Sequence, residues 1–166
     1  MTDAPIDPLV IIELTNLKAA GKLEELADHS ALVMKPEWIG ELAANTNWLA
    51  HYWLAQNPAL AEYRDVVVDL SADVKVLVRA NLASNPATAN YPEIIQTLAT
   101  DEDWLVRRSL AENPAIANFP EIVKQLATDK DYEVRESLAS NPAIPACTAG
   151  TNPWQTTQPA TPAPTL

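Results

Sequence analysis

The feature that most constrains this chain is that it repeats itself. Residues 79–106 read RANLASNPATANYPEIIQTLATDEDWLV, and residues 107–134 read RRSLAENPAIANFPEIVKQLATDKDYEV. Aligned without a gap, they agree at 17 of 28 positions. The same ruler extends outward in both directions. Leu-Ala recurs at Leu26/Ala27, Leu54/Ala55, Leu82/Ala83, Leu110/Ala111 and Leu138/Ala139. Asn-Pro follows at Asn57/Pro58, Asn85/Pro86, Asn113/Pro114 and Asn141/Pro142, while the first copy has His29-Ser30 there. A leucine column runs through Leu14, Leu42, Leu70, Leu98 and Leu126, and another column reads Pro8, Pro36, Arg64, Pro92, Pro120. A fixed period of this length marks stacked supersecondary units, each too small to bury its own apolar face.

The unit at 92–119, PEIIQTLATDEDWLVRRSLAENPAIANF, is readable as two short helices. Pro92 suits a first helical turn, where its missing N–H costs nothing, and Glu93 complements the helix dipole. Ile94, Ile95, Leu98 and Ala99 share one face. Asp101 or Asp103 can cap a second helix, which buries Val106, Leu110 and Leu105. That helix stops at Asn113, because the residue before a proline is pushed out of helical geometry. Helices of two or three turns are marginal alone in water; stacked at about 8–10 Å they share one core.

Composition agrees. Hydrophobic residues make up 48% of the 166 residues, yet there is one Phe and there are three Gly, so the apolar content is mostly the aliphatic kind that favours helices. The expected fold is all-α: a right-handed α-solenoid of five 28-residue two-helix repeats, at 8–35, 36–63, 64–91, 92–119 and 120–147. Residues 1–7 form an N-terminal extension. Residues 148–166 have no charge and no periodicity, and Pro153, Pro159, Pro162 and Pro164 forbid a helix there; a flexible Pro/Thr-rich tail is expected.

The wording LATDxDxxVRxxLAxNPxxxxxPEIxxxLA resembles the leucine-rich repeat variant, a bacterial α-solenoid family. Asp101, Asp103, Val106, Arg107, Leu110, Ala111, Asn113 and Pro114 carry the likeness, together with their equivalents one repeat later. Asp-x-x-Val-Arg is also similar to HEAT repeats, more loosely. The likeness covers the three C-terminal copies well and the first two weakly. It implies a fold and a binding scaffold, and no reaction. One type of family member carries an iron–sulfur cluster in a cysteine-rich N-terminal segment; Cys147 is alone here, so that cofactor is not carried over.

Charge and motifs narrow the function. A net charge of −11 argues against direct binding of nucleic acid or an anionic membrane surface. The start, MTDAPIDPLVIIELTN, has no basic n-region and only a short apolar run, so neither a signal peptide nor a membrane span is expected and a cytoplasmic protein is. No glycine-rich phosphate loop, Gly-x-Ser-x-Gly or His-Glu-x-x-His occurs. His29 and His51 fall in slots filled elsewhere by Asn and Arg. No cofactor, no metal site and no catalytic residue is expected.

Several columns call for explanation. Asp73, Asp101 and Asp129 recur once per unit, unlike a catalytic pair, and are read as a structural ladder with Arg79, Arg107 and Arg135 in the same or the adjacent unit. Asn57, Asn85, Asn113 and Asn141 are read as structural too, their amides bonding helix-end carbonyls or the next turn. The column Trp48, Val76, Trp104, Tyr132 is expected to be half core. Tyr52 and Trp53 break the repeat, being large aromatics where other units hold small or polar residues. They pack under an irregular N-terminal unit or anchor a partner. In the second case Asn81 and Ser109 give polar support along the same stripe. The expected function is a non-catalytic scaffold that binds a protein or peptide along one face. The alternatives are an acidic inhibitor that mimics nucleic acid and a HEAT-like lyase.

Overall fold

The computed structural model describes residues 16–22, 25, 27 and 36–144. The expected extension and tail, and most of the first repeat, lie outside the described residues. Every regular element among the described residues is helical, and none is a strand. After a helical turn at 16–19 come α1 (Pro36–Ala43), α2 (Trp48–Gln56), α3 (Arg64–Ser71), α4 (Val76–Ser84), α5 (Pro92–Ala99), α6 (Trp104–Glu112), α7 (Pro120–Ala127) and α8 (Tyr132–Ser140). Short 3-10 helices at Pro58–Glu62, Pro86–Asn90 and Pro114–Asn118 link the pairs.

Local chemistry sets each boundary. Pro92 and Pro120 open α5 and α7, with Glu93 and Glu121 in the first turn. At α6 the side chain of Asp103 accepts a hydrogen bond from the Leu105 amide at 2.9 Å, and Asn47 does the same for Leu49 at 3.1 Å in α2. The second helices end at Asn57, Asn85, Asn113 and Asn141, whose backbone is extended as a following proline requires. That proline then begins the 3-10 turn at the first three of these, and the asparagine side chain caps it.

Packing sorts the helices into rows. The even-numbered helices α2, α4, α6 and α8 lie closely one on the next, the odd-numbered helices touch more sparingly, and the 3-10 helices form a row of their own. A single core runs between the rows. Leu42, Leu70, Leu98 and Leu126 from odd helices meet Leu54, Leu82, Leu110 and Leu138 from even ones, all essentially buried. Ile116 and Leu60 close it from the 3-10 side. Side chains of one unit thus form the wall against which the next unit packs, which is how helices this short hold their shape. Among the described residues no helix is long and apolar enough to cross a membrane.

Candidate functional site

The Arg and Asp columns meet across the even helices. Arg79 donates from Nε and Nη2 to the Asp101 carboxylate at 2.7 and 3.0 Å, and from Nη1 to the Asp73 carbonyl at 2.7 Å. Arg107 repeats the fork onto Asp129 at 2.7 and 3.0 Å, with Nη1 on the Asp101 carbonyl. Each guanidinium therefore grips the carboxylate of the following unit and the backbone of its own. Arg107 also pairs with Asp131. These hydrogen bonds to carboxylate raise the Arg79 and Arg107 pKa values, against burial, which works to lower them. Burial pushes the Asp129 carboxyl up, but the hydrogen bond and charge of Arg107 and the Asp131 amide outweigh it and hold it below its ordinary 3.8.

Both ends of this series differ. His51 stands in the first arginine slot and reaches Asp73 through Nδ1 at 2.7 Å. Arg135 stands in the last. Its Nη1 donates to the carbonyls of Asp129 and Lys130 at 2.6 and 3.1 Å, and its guanidinium lies 6.0 Å from the centre of the Tyr132 ring.

The asparagines do a second job. Asn85 Nδ2 donates to the carbonyls of Ala55 and Asn57 at 2.9 and 3.0 Å. Asn113 does so to Ala83 and Asn85 at 2.8 and 3.1 Å, and Asn141 to Ala111 and Asn113 at 2.8 and 3.0 Å. Their Oδ1 atoms accept from the amides of Ala87, Ala115 and Ala143. Asn57 reaches back to the Ala27 carbonyl at 2.7 Å. An amide is the group that donates and accepts at once, and here it ties the end of one even helix to the end of the next.

Tyr52 and Trp53 sit edge to face, with ring centres 5.1 Å apart, and Tyr52 meets Trp48 the same way at 6.0 Å. Tyr52 and Trp53 are half-buried against the core. The Trp53 Nε1 and His51 Nε2 atoms are buried without a hydrogen-bond partner among the described residues. Asn81 joins this cluster, its amide donating to the Tyr52 carbonyl at 3.1 Å. Ser109 is half-buried one unit further on. Beyond it, α6 and α8 form an open groove of about 580 Å³ lined by Arg108, Glu112, Glu136, Ser137 and Ser140. Arg108, Glu112 and Ser137 hydrogen-bond one another at 3.0–3.3 Å, so those polar groups are mutually satisfied.

The expectation of a half-core column holds at Val76, which is half-buried against the core, and needs correcting at the aromatics. Trp48 is 36% exposed, Trp104 41% and Tyr132 60%, and next to Val76 the side chain of Leu77 is 47% exposed. These residues occupy the first turn of the even helices. The preceding turn that would cover them does not exist, because the capping loop bends away. The three aromatics therefore lie along the edge of the stack, while Val76 in the same slot is half-buried against the core. Repeat periodicity marks such a column, but it does not separate an edge slot from a core slot. Trp48, Trp104 and Tyr132 instead stand exposed at the openings of α2, α6 and α8, and Trp48 meets Tyr52 edge to face.

Among the described residues no group of three or more His, Cys, Asp or Glu is placed to hold a metal ion. Set against protein-family models, curated proteins and solved structures, the chain matches none of them.

Proposed function

We propose that this chain is a non-catalytic scaffold, a right-handed α-solenoid of five 28-residue repeats of the leucine-rich repeat variant kind, which binds a protein or peptide along one face. The observation that carries the reading is the exposure of the three aromatics Trp48, Trp104 and Tyr132, which share one position of the repeat. Large aromatic side chains left in water at one repeat position in three of the four described units mark a contact surface more than a folding need, and aromatic residues supply most hot-spot energy in interfaces. Tyr52 and Trp53, with Asn81 hydrogen-bonded to the Tyr52 carbonyl and Ser109 one unit further on, extend this surface onto the faces of α2, α4 and α6. The ladder carboxylates Asp73, Asp101 and Asp129 are engaged by His51, Arg79 and Arg107. They are thus unavailable as phosphate mimics or as acid–base groups, which favours a scaffold over an acidic decoy or a lyase.

A photo-crosslinking amino acid at Trp104 tests the reading, with the same group at exposed Thr97 on α5 as the control. Protein adducts in cells are expected from position 104 and not from position 97. Equal capture at both positions, or none at 104, defeats it.

A further inference from the structure

We infer that the open end of the stack, on α8, docks a helical hairpin of another protein that carries an Asp in its loop and an Asn at the end of its second helix. Three groups on α8 lack the neighbour that their equivalents in the preceding units have. The first is Arg135. Like Arg79 and Arg107, it lays Nη1 on the carbonyl of its own unit's Asp, here Asp129 at 2.6 Å. In Arg79 and Arg107 that grip aims Nε and Nη2 at the Asp of the following unit. In Arg135 the same two donors meet no carboxylate among the described residues. The second is the Ala139 carbonyl. The carbonyls of Ala55, Ala83 and Ala111 each accept from the asparagine amide of the following unit, and that of Ala139 has no such donor among the described residues. The third is the Ala139 side chain, exposed where Ala55, Ala83 and Ala111 are fully covered.

These groups state what would fill the end. A guanidinium held by its backbone grip presents a flat pair of donors that matches one carboxylate. A helix-end carbonyl needs a donor, and a side-chain amide supplies it while still accepting from its own backbone. The bare alanine lets a second helix approach closely. At both inner junctions a single unit provides the set: Asp101 and Asn113 serve Arg79 and Ala83, and Asp129 and Asn141 serve Arg107 and Ala111. The occupant of the end therefore carries an Asp and an Asn in the relation of Asp101 to Asn113.

The chain's own segments do not fit. A second copy stacked head to tail would offer its first unit, which has Leu17 in the Asp slot and His29 in the Asn slot. The second unit has Asn45 in the Asp slot. Residues 145–166, which follow α8, contain neither Asp nor Glu. A head-to-tail contact between unlike partners needs no symmetry, so a repeat unit from a different protein meets the requirement.

The test is NMR titration of the isotope-labelled full chain with two synthetic peptides, one of residues 92–119 and one of residues 92–147, each opening on the unit that carries Asp101 and Asn113. Saturable shifts are expected at Arg135 Nε–H, Ala139 and Asn141, with the Arg135 signal moving toward those of Arg79 and Arg107. The same peptides with Asp101→Asn and Asn113→Ala should bind about tenfold more weakly, and Arg135→Met in the chain should weaken the unaltered peptides by about as much. Ala139→Arg, at an exposed position where the fold tolerates it, should abolish the shifts while the rest of the spectrum stays in place. Absence of shifts with both peptides, shifts centred elsewhere, equal binding of the altered peptides, or indifference to Ala139→Arg overturns the inference. So does movement of the Arg135 signal on dilution of the chain alone, which would put a second copy there. Overhauser contacts from Arg135 to residues 145–166 would put the chain's own segment there and overturn it as well.

Discussion

Arg107 and Asp129 form a buried, two-pronged ion pair across consecutive units, with Nε and Nη2 at 2.7 and 3.0 Å from the two carboxylate oxygens and both side chains less than a tenth exposed. A fork of this geometry is directional and fixes how one unit sits on the next. Its net contribution is smaller than its Coulomb attraction, because both charges leave water. Breaking one side is different, since the remaining charge stays buried and alone. Arg107→Met should therefore destabilise by about 3–5 kcal/mol, and Arg107→Met with Asp129→Leu should recover most of that loss. Urea melts of the single and double variants check this. A double variant no better than the single one would show that the pair itself, and not the orphaned carboxylate, sets the cost.

The same pair makes stability fall in acid. The Asp129 carboxyl is held below its ordinary 3.8 in the folded chain. A carboxylate lowered in this way contributes stability that is fully present above its unfolded value. The contribution is lost as the pH drops through the folded value. The melting temperature should therefore decline below pH 3.8. Arg107→Met, which removes the group that lowers this pKa, should flatten that acid limb. An unchanged acid limb in the variant would assign it to other carboxylates.

Asn113 is buried and satisfies the carbonyls of Ala83 and Asn85 and the amide of Ala115. Asn113→Ala strands these groups away from water and should cost about 2–4 kcal/mol. Asn113→Asp keeps the acceptor, loses the donor and adds a charge facing two carbonyls, so it should cost more than alanine at neutral pH. The order of the two variants in denaturant titration is the informative result; aspartate equal to asparagine would mean that the site is wet.

Leu98 and Leu126 are fully buried in the core that the odd and even helices share. Leu98→Ala and Leu126→Ala should each cost about 2–5 kcal/mol. Chemical denaturation measures this directly, and a loss below about half a kcal/mol would be inconsistent with a shared core at those positions.

His51 fills an arginine slot but makes one contact to Asp73 where Arg79 and Arg107 make two to their aspartates. His51→Arg restores the fork at the junction of the second and third units and should stabilise by about 1 kcal/mol. A lower urea midpoint in the variant would show that the slot is too short for a guanidinium.

Much of the secondary structure was legible before any coordinates. Asn-Pro and Pro-Glu punctuate the helices at Asn85/Pro86 and Pro92/Glu93 because proline constrains its own φ and its neighbour's backbone locally, whatever the tertiary contacts. Leu98, Val106 and Leu110 declared a helical face by spacing alone, and they are buried. The all-helical class follows from those two local signals.

Tertiary structure decided what local signals leave open. The column Asp101, Arg107 does not say whether an arginine meets the aspartate of its own unit or of the next. The close approach of α4 to α6 and of α6 to α8 places the +22 carboxylate within reach and leaves the unit's own Asp to offer its backbone carbonyl. Trp48, Trp104 and Tyr132 share the apolar, periodic character of core residues, yet they line an edge. Exposure depends on which neighbouring backbone covers a side chain, and at the first turn of a helix that is set by the path of the loop. Hydrophobicity and period are properties of the chain read residue by residue; burial and pairing belong to the space between units.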